Sequence, residues 1–220
     1  MTINMRDIDK LKQDTKSAFD DSEIKKLPDA HKLKWLYCIS ATRLSTDANV
    51  IVGFNWGAKK GDPYDYSRDD VILNYSFKDL YQKKWLGSLH EVYPSLKMHL
   101  PNEDIDNCVH TNYCFFRSNN QSEITAKDLE LSTPLFDRFI EIIKPKRIIG
   151  FSSQLRNHYI NLYGSSIKRK QIKTNNRTIY YAAKGTCKIK QKNVEVHFLP
   201  HPNTHLTNVA RDEAWDYCFN

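Results

Sequence analysis

The stretch Asn49-Val50-Ile51-Val52-Gly53-Phe54-Asn55-Trp56-Gly57 decides how the rest of the chain is read. Val50 to Phe54 is a compact apolar run that suits a strand buried on both faces of a sheet. It breaks into Asn55-Trp56-Gly57-Ala58-Lys59-Lys60-Gly61-Asp62-Pro63, whose glycines, asparagine and proline predict a loop. In open α/β sheets, ligands bind outside the carboxyl ends of the strands, where such a strand gives way to such a loop.

Working outward, Cys108 to Phe116 is a second apolar run, with Val109, Thr111, Tyr113 and Phe115 suited to a strand. Arg147 to Phe151 predicts a short third strand. Val194 to Leu199 predicts a last one, running straight into Pro200-His201-Pro202-Asn203. Helical spacing predicts helices over 5–19, 22–43, 75–97, 125–143 and 152–163 and a helix closing the chain; Leu33, Leu36, Tyr37 and Ser40 share a face of the second. Short apolar strands alternating with helices predict an α/β fold, a three-layer α/β/α arrangement around a mostly parallel four-stranded sheet. The chain reads as one domain over 1–220, with a helical part at 1–45 and the core at 48–205. Three strands end on polar residues: Asn55, Asn112 and His201.

A chain of 220 residues with 40% hydrophobic and 27% charged residues is ordinary for a soluble domain and wrong for a disordered one. No apolar run is long enough to span a membrane, and the charged N-terminus is unlike a secretory signal, which predicts a cytoplasmic protein. The five cysteines are scattered and form no CxxC pair, so they predict buried thiols rather than a zinc site or a disulfide framework. The net charge of +7 favours a polyanionic partner. Lys168, Arg169, Lys170, Lys173, Arg177, Lys184, Lys188, Lys190 and Lys192 crowd one segment that reads as a hairpin. That segment is a solvated face or a surface that tracks phosphates, with equal claim.

Val52-Gly53-Phe54-Asn55-Trp56-Gly57 resembles the first active-site motif of the uracil-DNA glycosylase superfamily: a buried strand, glycine, any residue, Asp/Asn/Glu, usually proline, and often a second glycine. His201-Pro202-Asn203 resembles the second motif, His-Pro-Ser in many members. Val109-His110-Thr111-Asn112-Tyr113 looks like the family's central strand, and Ile142 to Gly150 like its helix, Pro-Lys turn and strand ending in glycine. The likeness covers residues 48–205. Trp56 replaces the usual proline and Asn203 the usual serine, which bears on substrate identity more than on fold. The four cysteines with which some branches hold an iron–sulfur cluster are missing, so the resemblance implies neither metal nor cofactor.

What the resemblance implies is a monofunctional DNA glycosylase acting as a monomer. Its target base must leave the stack before the glycosidic bond can be reached. Asn55 would place the attacking water, though an amide cannot take its proton. His201 would donate to the base oxygen that gathers negative charge. Asn112 would read the base, since its amide matches uracil in one orientation and a modified cytosine in the other. Gly53, Phe54, Gly57, Pro202 and Asn203 would line the pocket. Tyr64 or Tyr66 would stack on the base, with Trp56 beside it or in the core. Leu206, with His205, would fill the gap left in the DNA, or cap the terminal helix. Lys59, Lys60, Lys168, Arg169 and Lys170 would meet phosphates. Without the resemblance, Asn55 reads as a turn residue beside glycine and His201 as a satisfied strand-end histidine.

Two functional classes therefore stand: a glycosylase, serving repair of deaminated cytosine or attack on hypermodified bases in viral DNA, and a non-catalytic DNA-binding module on the same fold. A nucleotide-handling Rossmann-like enzyme is disfavoured, because no GxGxxG or GxxxxGK[ST] loop follows any strand.

Overall fold

The computed structural model describes residues 3–27, 36–57, 71–173 and 179–220. Six strands, β1 (Asn49–Gly57), β2 (Val109–Ser118), β3 (Arg147–Gly150), β4 (Ile167–Lys173), β5 (Ile179–Ile189) and β6 (Lys192–Phe198), form one sheet in the order β2-β1-β3-β6-β5-β4. β1 pairs in parallel with β2 and β3, and β3 in parallel with β6. β5 then adds antiparallel to β6, and β4 antiparallel to β5.

The sheet is thus mixed and six-stranded, not four-stranded and mostly parallel as the sequence predicts. The difference is the basic hairpin. A tight turn with Lys190 at φ 54° brings the chain from β5 into β6. β5 thereby covers an edge that would leave a row of backbone groups unpaired. β4 is left as the edge, carrying Lys168, Lys170 and Lys173, charges that discourage pairing with another chain.

Seven helices pack around the sheet among the described residues: α1 (Met5–Asp20), α2 (Phe77–Gln82), α3 (Tyr93–His99), α4 (Asn102–Asp106), α5 (Ala126–Ile143), α6 (Ser153–Tyr163) and α7 (Asn208–Phe219). Successive strand residues face opposite ways. Val50, Val52, Ile148 and Val196 meet Leu11 and Phe19 of α1, Phe136 and Phe139 of α5, and Leu155 and Tyr159 of α6. Ile51 and Ile149 belong to the opposite core, with Phe77 and Leu80 of α2, Leu96 of α3 and Trp215 of α7. Because both faces are covered, the central strands read as unbroken apolar runs.

Two helical expectations need correction. Within the predicted helix 22–43, Ile24–Lys26 is a single 3-10 turn and residues 28–35 lie outside the described residues. Residues 36–41 run along β2 instead: the Cys38 N–H donates to Phe115 O at 3.0 Å, Ala41 N–H to His110 O at 2.9 Å, and Leu36 O accepts from Arg117 N–H at 3.0 Å. The open edge of β2 needed partners, and that demand outweighs the helical spacing. The predicted helix 75–97 is broken into α2, a 3-10 turn at Gly87–Val92 and α3. Lys84 and Gly87, at φ 58° and 56°, turn the chain between them.

All five cysteines are free and buried. Burial pushes the thiols of Cys114, Cys187 and Cys218 up to about 12. No helix among the described residues is long and apolar enough to cross a membrane.

Candidate active site

β3 stops at Gly150, level with Val52 of β1 and Phe198 of β6. β1 and β2 continue past it, paired as far as Gly57 and Ser118, with a bulge between Asn55 and Trp56. Asn55 and Asn112 therefore lie within strands, not at strand ends, and the predicted loop begins later than Asn55. Trp56 supplies the reason. Its indole N–H donates to Cys38 O at 2.6 Å and its ring stands edge-on to His110, with centroids 5.3 Å apart. Burying that large side chain holds the backbone extended.

Gly53 sits opposite Asn112 in the β1–β2 register. A Cβ on Gly53 would lie 2.1 Å from Asn112 Oδ1, so only glycine leaves room for that amide. Asn112 is 4% exposed, and its side chain makes no hydrogen bond to the described residues. Its amide atoms keep contact with solvent, so a ligand can reach them where no protein group does. Leu89, from the 3-10 turn at Gly87–Val92, closes the space over Gly53.

The same turn reaches His201. Ser88 Oγ lies 3.4 Å from His201 Nε2. On the other side of the ring, the Asn203 N–H donates to Nδ1 at 3.2 Å. A neutral imidazole that accepts at Nδ1 carries its hydrogen on Nε2, so Nε2 is the donor. Burial lowers the pKa of His201 and keeps it neutral. Thr204 ties the turn, its N–H and Oγ1 donating to His201 O at 2.9 and 2.7 Å. Arg211 of α7 braces it from below, donating to Pro202 O at 3.3 Å and pairing with Glu91 at 3.5 Å. A small cleft beside His201 is lined by Val92, Phe151, Leu199, Pro202, Leu206 and Trp215, among others.

Asn55 is half-buried. Its Nδ2 donates to Ser118 Oγ at 2.7 Å and to Trp56 O at 3.2 Å, which leaves Oδ1 free to accept from a water. Those bonds lie at the β2 end of the sheet, whereas His201 follows β6, two strands to the other side of β1.

The remaining candidates divide. Phe54 packs in the α1/α5/α6 core on the far face, Trp56 in the opposite core, and Pro202 is buried. Gly57, Asn203 and His205 are exposed. Leu206 packs against the core around Trp215, the helix-capping alternative, while Val209 at the start of α7 is 79% exposed. Lys168 and Arg169 are exposed on β4, and Lys170 pairs with Glu213 of α7 at 2.9 Å. Lys59, Lys60, Tyr64 and Tyr66 lie outside the described residues. Sequence reasoning missed Ser88, Leu89 and Arg211. The one signal for the first two is Gly87, a glycine inside an apparent helix that marks a turn.

No protein-family model matches this chain, and neither does any curated protein.

Proposed function

We propose that the protein is a monofunctional DNA glycosylase that hydrolyses the N-glycosidic bond of a flipped-out uracil or other modified pyrimidine and leaves an abasic site. The observation that carries this reading is the amide of Asn112, unpartnered by any described residue and set opposite a glycine whose Cβ would displace it. Such an amide, with one donor and one acceptor edge, suits the hydrogen-bonding edge of a single base. The uracil-DNA glycosylase likeness of the motifs supports the same reading, and so do the four parallel strands β2, β1, β3 and β6.

In this reading Asn112 orients the base and Leu89 closes over it. His201 Nε2–H donates to the base oxygen as the bond to C1′ of the sugar breaks and its electron pair passes to the base. Asn55 Oδ1 accepts from a water whose oxygen bonds to C1′. One proton of that water ends on the departing base and the hydroxyl stays on the sugar. A neutral histidine suits the donor role, because it stabilises the leaving anion without giving up its proton.

The test is an abasic-site assay on labelled oligonucleotides carrying uracil, hypoxanthine, xanthine or modified cytosines, in single and double strands, with phage DNA of naturally modified bases alongside. Alkali-labile breaks on one substrate, lost in His201→Ala and Asn112→Ala, are the expected result. DNA binding without breaks on any substrate favours the second reading, a non-catalytic DNA-binding module. A specific observation keeps that reading alive: Asn55 commits its amide nitrogen to Ser118 and offers no group able to take a proton.

A further inference from the structure

The described cations of the basic hairpin differ in their company. Lys190 and Lys192, at the turn between β5 and β6, pair with Glu141 and Asp47, and Lys170 pairs with Glu213. Lys168, Arg169, Lys173 and Lys184 form no ion pair with the described residues. Lys168 even stands directly opposite Lys184 in the β4–β5 register, a like-charge pairing that destabilises a sheet when nothing offsets it.

The strongest concentration is at Tyr181. Arg156 of α6 and Arg169 of β4 both lie over its ring, at 5.6 and 4.4 Å from the centroid. Arg156 Nη1 also donates to Tyr181 O at 3.0 Å, which fixes the guanidinium in place. Its Nε is buried without a partner, and neither arginine meets a carboxylate among the described residues. Burial first, then the charge of Arg169, holds the pKa of Arg156 down. Two guanidiniums sharing one ring repel each other in a partly dry site, and an anion between them removes that cost.

Their position links them to the candidate active site. Ala183 of β5 is level with Phe198 of β6, so the same register carried two residues further sets Tyr181 beside Pro200, the neighbour of His201. α6 begins just past the end of β3, at the same end of the sheet.

We infer that Arg156 and Arg169, which share the Tyr181 ring, bind a backbone phosphate of a DNA strand that runs along the β4–β5 hairpin towards His201. This rests on DNA being the partner in the function proposed above. A strand fits better than a lone phosphate, because Lys173, two alternations along β4 from Arg169 and so on the same face of the sheet, adds a further cation without an ion-pair partner among the described residues, towards the end at which His201 lies.

The experiment is fluorescence anisotropy of the full chain with a labelled oligonucleotide, single- and double-stranded, over a range of salt concentrations. Wild type is compared with Arg156→Gln/Arg169→Gln and with Lys190→Gln/Lys192→Gln, which removes equal charge at the far turn. Thermal unfolding reports whether each variant is folded, and Arg169→Gln alone serves if the double variant is not. The expected result is binding weakened about tenfold or more and a salt slope reduced by about 1 to 2 in the arginine variant, with little change in the lysine variant. Equal binding by wild type and arginine variants overturns the inference. So does displacement of the oligonucleotide by inorganic phosphate or a mononucleotide at unchanged ionic strength, which assigns the pair to a lone phosphate. Wild type that binds no DNA overturns it together with DNA as partner. Binding that depends on the arginines, without release of any base, keeps the inference and removes the glycosylase.

Discussion

Gly53 and Asn112 face each other across the β1–β2 ladder so closely that a Cβ on Gly53 would stand 2.1 Å from Asn112 Oδ1. Gly53→Ala must therefore displace the Asn112 side chain. Overpacking of this kind costs about 1–3 kcal/mol, so urea unfolding will record a modest loss of stability. Single-turnover base excision will fall far more than that stability loss accounts for. Asn112→Ala relieves the clash, and the double variant will regain stability without regaining excision.

Asn55 offers an acceptor to a water but cannot take its proton. Asn55→Asp supplies a base, and general-base catalysis is typically worth about 10²- to 10⁴-fold. The single-turnover rate should rise by at least about tenfold, less than the full effect because the carboxylate loses the donation to Ser118 Oγ. A rate that falls instead would mean that Asn55 holds β1 to β2 and does not place the water.

Trp56 stands where the motif that this segment resembles has proline, yet its side chain is a core residue. Trp56→Phe keeps the packing against His110 but leaves Cys38 O without the indole donor. A lost buried hydrogen bond costs about 1–3 kcal/mol, visible as a lower melting temperature. Excision per folded molecule will be unchanged.

Buried histidines set the response to acid. Burial lowers His110 and His197 to about 4, and lowers His201 as well. Between the ordinary value of 6.5 and about 4 the unfolded chain takes up protons that the folded chain refuses, so this contribution is full above 6.5 and is lost as pH falls through that window. For His110 alone the loss is on the order of 3 kcal/mol. Urea unfolding at about pH 7 and about pH 5 will show a falling midpoint, and His110→Phe, which keeps the ring and removes the titration, will fall less. Protonation of His201 also ends its acceptance from Asn203 N–H, so excision per folded molecule will decline on the acid side.

Legibility in the sequence followed how local the cause was. Val50 to Val52, Ile148 and Ile149, and Val196 to Phe198 read as strands because both faces are buried, and that pattern is written residue by residue. Residues 36–41 did not, because the cause of their extended course is the open edge of β2, about seventy positions away in the chain. Asn55-Trp56-Gly57 reads as a turn by composition, but pairing with Arg117 and Ser118 and the burial of Trp56 keep it in the sheet. The hairpin was legible as a hairpin. That it joins the sheet was not, since nothing local says which edge β5 will cover. In the site, Gly53, Asn112 and His201 stood out through their motifs. Ser88, Leu89 and Arg211 did not, because each acts only through a neighbour distant in sequence.

The most direct measurement is mass spectrometry of the free bases that wild-type protein and His201→Ala release from modified phage DNA and from uracil-containing DNA. A glycosylase will release one base in amounts equal to the abasic sites formed, and His201→Ala will release none. DNA that is bound yet yields no free base on any substrate would contradict the account.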